Sequence, residues 1–326
     1  MTPRIEVPFQ SLSTSRKQSG RQFMSASRAP VPVVPWSFFL VTFGFSWLLW
    51  CVPVLMHLGL MPAPDNATLV VLTLVLASVG AFGPMVGALA VTRQESGKGA
   101  AWSHLRRAAV TKNSLRCYLA PVLLLGLVSL AVWGAPLLWG RPLQASPLPT
   151  PLIPVYLVLM VYLGGGQEEI GWRGFALDRL LSRHNDLVAS LILGVGWALW
   201  HLPLWFMTGT SQGFMPFGGF LLMTVSLSII MTWIYVESGG SMFLAMWTHG
   251  VSNAYMVIFP TLVLAPVNQP GYWVFCCVLA AVAVVISLMR GPSRRSGGVH
   301  RQLAVREASI HLLAHQEAPD HPRRPQ

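Results

Sequence analysis

The sequence predicts an all-α protein: a polytopic membrane helix bundle of about eight transmembrane helices, with both termini cytoplasmic. Three observations carry that expectation. Of 326 residues, 53% are hydrophobic and only 10% charged, whereas a soluble domain carries roughly 25% charged residues to face water. Apolar runs long enough to cross a bilayer recur along the chain. Lys and Arg cluster in alternate connections between those runs.

The elements follow in order. Residues 1–34 are rich in Ser, Arg, Gln and Pro and lack the apolar core of a signal peptide, so they read as a solvated, disordered basic tail. Eight apolar runs then fall at about 36–57, 68–92, 117–139, 153–181, 187–207, 217–236, 242–259 and 272–289, placing the bundle at 35–290. Each can span roughly 30 Å of hydrocarbon at about 1.5 Å per residue, given flanking residues or tilt. No internal repeat is evident, which argues against a carrier built from inverted halves. Residues 291–326 form a second basic tail read as disordered, with a short amphipathic helix at 302–315 as an alternative. Its His300, His311, His315 and His321 read as solvated rather than metal-binding.

Charge sets the orientation. Threading eight helices puts Arg4, Arg16, Lys17, Arg21, Arg28, Arg93, Lys98, Arg106, Arg107, Lys112, Arg116, Arg179, Arg183, Arg290 and the tail arginines on one side, with Arg141 opposite. The net charge of +11 is thus distributed over tails and loops rather than one folded face, which excludes nucleic acid as a partner. Cys51, Cys117, Cys276 and Cys277 lack CxxC spacing and read as small apolar fillers. Tail composition and the lack of organelle signals suggest a multi-pass protein of a bacterial plasma membrane.

Function turns on which polar side chains lie at membrane depth, because an ionisable group there is costly to bury. Of eleven acidic residues, Glu168 and Glu169 alone fall well inside an apolar run. On a helix Glu169 and Arg173 are i and i+4 and can pair, leaving Glu168 about 100° round the axis. A neutralised carboxylate beside a free one is an arrangement suited to a general base. In 196–203, Trp197 and His201 share a face, so that the indole could cover the imidazole, and Pro203 loosens the helix. In 247–253, His249 and Asn253 share a face.

The order E-E-x-x-x-R at Glu168 to Arg173, aromatic-x-x-x-H at Trp197 to His201, and H-x-x-x-N at His249 to Asn253 resembles the CPBP family of intramembrane proteases. That family includes the type II CaaX prenyl endopeptidases and the Abi or bacteriocin self-immunity proteins. The resemblance covers about 151–259, with one departure: the family's second motif is F-x-x-x-H, and Trp197 replaces the Phe.

The resemblance implies an endopeptidase acting on a membrane-associated peptide or protein. Glu168 with His201 would activate a water, His249 with Asn253 would hold the oxyanion, and Arg173 would brace Glu169. Zinc on Glu168, His201 and His249 is the family's alternative; lacking H-E-x-x-H, the sequence leans towards a metal-free site and leaves zinc open. Depth matching requires the fourth helix to run unbroken from 153 to about 181, placing Glu168 roughly 20 Å from its end. The basic loop 93–116 would lie at anionic headgroups, with substrate docking as its guessed role. Two competing functions are a proton-coupled transporter using Glu168, His201 and His249 as a relay, and a non-catalytic immunity or binding module.

Overall fold

The computed structural model describes residues 35–110 and 112–290, and within them it is all-α. Both tails lie outside the described residues, together with the tail histidines and the helix expected at 302–315.

Helix α1 (Trp36–His57) is apolar all round, and its small polar residues Thr42 and Ser46 face inward. After a loop, α2 (Asn66–Gly80) starts on Asp65, whose Oδ1 accepts from the amides of Ala67 and Thr68. A turn at 81–82 leads straight into α3 (Gly83–Arg106). The two run on as one span antiparallel to α1: Gly80 lies against Trp50, Gly83 against Ser46 and Gly87 against Thr42 and Phe38. Small residues let these backbones approach, and the Ser46 hydroxyl uses that proximity to donate to the Gly80 carbonyl at 2.7 Å. At Gly97 the backbone turns to φ +86°, bending α3.

Helix α4 (Leu115–Gly134) ends in a 3-10 turn, and α5 (Ile153–Tyr162) leads into the segment that carries the acid motif. Beyond it, α8 (Asp186–Trp200), α9 (Phe217–Glu237), α10 (Met242–Ile258) and α11 (Pro270–Arg290) complete the bundle. The apolar window of α9 is 67% buried, against 22–44% for the other long apolar segments, so α9 is the bundle's centre and packs on α8 and α11. Leu40, Leu48, Leu138 and Leu288 project outward with more than 70% of their surface exposed, the signature of an apolar exterior. At one end Arg290 ties three helices together, reaching Asp186 at 3.1 Å and Glu237 at 2.8 Å.

Of three sequence expectations, one is met in part, one is corrected and one is met. Of the about eight crossings expected, seven segments among the described residues have the length and hydropathy to cross a membrane. The eighth, expected at 242–259, is α10, which has 17 residues and buries Thr248 and His249 among its neighbours. A helix that faces protein rather than lipid needs less hydrophobicity. The fourth span is not continuous: α5 stops at Tyr162 and the chain breaks at 163–165. The fifth span falls at 186–206, as expected, and Pro203 loosens it: the α-helix ends at Trp200 and continues as a 3-10 turn, Leu202–Phe206, because Pro203 cannot supply an amide to the helical ladder.

Candidate active site

The break at 163–165 is built from its neighbours' side chains. Gly165 has φ +127°, a conformation that side-chain-bearing residues avoid. A Cβ there would lie 2.5 Å from Asn253 Nδ2 and 2.6 Å from His249 Nε2. The carbonyl of Gly164 accepts from Asn253 Nδ2 at 2.7 Å, and the amide of Gly165 donates to Gln167 Oε1 at 2.9 Å. Backbone groups freed by the interrupted helix are thereby satisfied inside the bundle, as a membrane interior requires.

The chain resumes as a 3-10 turn, Gly166–Glu168, followed by α6 (Glu169–Gly171), a π-helical turn Trp172–Leu177 and α7 (Asp178–Leu181). Two stripes run along it. On the first, Glu168 Oε2 accepts from the indoles of Trp172 at 3.2 Å and Trp197 at 2.9 Å. Its Oε1 accepts no hydrogen bond among the described residues, and the side chain is 4% exposed. On the second, Arg173 Nη1 donates to both oxygens of Glu169 at 2.9 Å, and His249 Nδ1 meets Glu169 Oε1 at 2.8 Å. Glu169 and Arg173 are wholly buried. The guanidinium also lies 5.1 Å from the centre of the Trp197 ring.

His201 caps α8. Its Nδ1 is 2.9 Å from the Trp197 carbonyl, so Nδ1 carries the proton and Nε2 is the free basic nitrogen of the neutral ring. Trp200 and Phe220 box the imidazole edge-on at 4.6 and 5.1 Å. The expected cover of His201 by Trp197 is replaced by a looser, tilted contact at 6.0 Å. The Trp197 indole turns instead towards Glu168, and its ring meets His249 edge-on at 5.0 Å. Trp197 is thus the shared wall between the two imidazoles and the free carboxylate.

The structure therefore gathers Glu168, Glu169, Arg173, His249 and Asn253 into one buried cluster, with His201 bordering it across Trp197. Among the described residues no three His, Cys, Asp or Glu side chains are grouped as a metal ion would need. Glu168, His201 and His249 do not fit the zinc alternative in this arrangement. Sequence reading missed Trp172, whose distance of four residues from Glu168 is the same spacing that identified Glu169 and Arg173. Gly166 packs closely against Val161 and Met246, whereas Gly165 faces His249 Nε2 and Asn253 Nδ2.

A buried cluster of carboxylates, imidazole and carboxamide, set against a broken helix in an apolar bundle, holds the groups that proton transfer and oxyanion binding use. The comparisons with known proteins narrow the class. Residues 150–255 match the family model described as Rce1-like, type II CAAX prenyl endopeptidase Rce1-like. Over 110 residues, 32% of this chain, the sequence is 34% identical to CAAX prenyl protease 2 of Methanococcus maripaludis. The chain spans 40% of the length of that curated relative. Through this region the chain is similar to the Rce1-like type II CAAX prenyl endopeptidases, and the remainder of the chain lies outside the match.

Proposed function

We propose that the protein is an endopeptidase that hydrolyses a peptide bond of a membrane-associated substrate at the Glu168, His249 and Asn253 cluster. The observation that carries this reading is the convergence of His249 Nε2 and Asn253 Nδ2 on one spot beside Gly165, next to a carboxylate with one oxygen fixed and the other unengaged. Glu168 Oε1 takes a proton from water while the water oxygen bonds to the scissile carbonyl carbon, and His201, across Trp197, borders the site rather than the water. Protonated His249 and the second amide hydrogen of Asn253 then donate to the oxyanion. On collapse the C–N bond breaks and the amine leaves with the proton held by Glu168. Glu169 orients His249 and Arg173 braces Glu169. With His249 protonated, two carboxylates face one guanidinium and one imidazolium, so the buried charges balance.

The reaction needs no metal in this scheme, and no step passes through one. With α10 counted as an eighth crossing, the charge asymmetry of the connections supports a cytoplasmic side that carries the basic loops. The relative's name points to a prenylated CAAX peptide as the first substrate to try. Purified protein in lipid nanodiscs should release the tripeptide from a farnesylated CaaX peptide, or cleave one of a panel of membrane-anchored peptides. Glu168→Gln and His249→Ala should abolish the cleavage. Proton flux across proteoliposomes without any proteolysis would instead support the transporter, and function preserved in Glu168→Gln would support the non-catalytic module.

A further inference from the structure

The segment beyond the bend of α3 makes a second set of contacts to the helix of the acid motif. Residues 98–106 are two-faced. Lys98, Trp102 and Arg106, four residues apart, form an exposed stripe. His104 is buried, and its Nε2 donates to the Ile170 carbonyl at 2.9 Å. Just beyond, Arg107 donates through Nη1 to the Gly174 carbonyl at 3.3 Å and through Nη2 to Asp178 Oδ2 at 3.4 Å and Tyr235 Oη at 3.2 Å. Tyr235 on α9 in turn donates to Asp178 Oδ1 at 2.9 Å.

The gripped positions, Ile170, Gly174 and Asp178, are four residues apart: the outer two bracket the π-helical turn Trp172–Leu177 and Gly174 lies within it. Such a turn is rare and intrinsically unfavourable, and each change of pitch displaces a carbonyl from the regular ladder. A displaced carbonyl in a dry interior needs a donor from elsewhere. His104 and Arg107 supply donors to main-chain oxygens, which ordinary side-chain packing between two helices would not require. The close approach has been made possible by Gly171, where a Cβ would collide with the Pro84 backbone. The same turn carries Trp172, which donates to Glu168, and Arg173, which donates to Glu169.

We propose that His104 and Arg107 are positioning residues, which hold the π-helical turn from outside and thereby aim Glu168 at the Trp197 indole and Glu169 at His249. The effect on turnover rests on the proteolytic reading above; the effect on the turn does not. The test compares His104→Ala, His104→Gln, Arg107→Ala and Arg107→Lys with an Arg106→Ala control from the exposed stripe. Hydrogen exchange of residues 166–181, the thermal midpoint, and kcat and KM on a cleaved peptide are measured for each.

The alanine variants should speed exchange across 166–177 by about tenfold or more. They should lower kcat by about tenfold or more with KM within about twofold. His104→Gln and Arg107→Lys, which keep a donor, should recover most of both effects, and Arg106→Ala should match the parent. Unchanged exchange at 166–177, or a kcat loss that follows the thermal midpoint equally in Gln and Ala variants, would overturn the proposal. If the parent cleaves no peptide, the protease reading fails and the exchange measurement alone decides this one.

Discussion

His249 Nδ1 lies 2.8 Å from Glu169 Oε1, while Arg173 Nη1 holds both oxygens of the same carboxylate at 2.9 Å. One buried carboxylate thus anchors a guanidinium on its own helix and orients an imidazole on α10. Removing one partner strands the others without water to replace it. Arg173→Met should therefore destabilise the protein by about 3–5 kcal/mol. The double variant Glu169→Gln/Arg173→Met should regain much of that stability without regaining cleavage, because His249 has lost its anchor. Unfolding in detergent alongside peptide turnover checks both halves.

Gly165 supplies the surface on which two donors converge. Gly165→Ala faces a φ of +127° and a Cβ 2.5 and 2.6 Å from Asn253 Nδ2 and His249 Nε2. Backbone strain of this kind costs about 1–3 kcal/mol. The expected outcome is loss of cleavage with a modest fall in thermal midpoint, since the loop must shift away from the donors. Retention of full activity would show that the spot beside Gly165 is not where the substrate carbonyl lies.

Two indoles fix Glu168. A hydrogen bond to a charged group contributes about 1.5–3 kcal/mol, so Trp172→Phe or Trp197→Phe should each lower kcat by roughly ten- to hundredfold. Replacing both should leave the carboxylate unaimed and cost more than either alone. The Trp197 variant is informative because Phe is the residue that the family pattern carries at that position. Steady-state kinetics of the three variants decides it.

Metal removal separates two chemistries. Among the described residues no three His, Cys, Asp or Glu side chains stand together as a zinc ion would need. Extended dialysis against a zinc chelator should leave the rate unchanged. Activity lost on dialysis and restored by added zinc would contradict the metal-free scheme.

Much of this arrangement was legible in the sequence, because membrane burial leaves few polar residues to choose from. Glu168, Glu169 and Arg173 stood out by spacing, and the i to i+4 pair predicted between Glu169 and Arg173 is present. What stayed hidden depended on departures from regular helix. An unbroken span from 153 to 181 hides the loop at Gly165, since three glycines in a row do not reveal which one takes positive φ. The π-helical turn leaves no periodic signature in six residues, and its supports, His104 and Arg107, are 66 and 67 residues away in sequence from the carbonyls they meet. Arg107 looked like one more base of an interfacial loop, and its partners Asp178 and Tyr235 come from two other elements. Trp197 was read against its own helix, whereas its indole proton goes to Glu168, 29 residues earlier.

The central claim is that Glu168 delivers a water molecule to a peptide carbonyl held beside Gly165. Cleavage in H2(18)O by the parent and by Glu168→Gln, followed by mass spectrometry of the products, tests it most directly. The account predicts one heavy oxygen in the newly formed carboxyl terminus with the parent, and no product above background with the variant. Cleavage by Glu168→Gln at the parent's rate, with the same label, would contradict it.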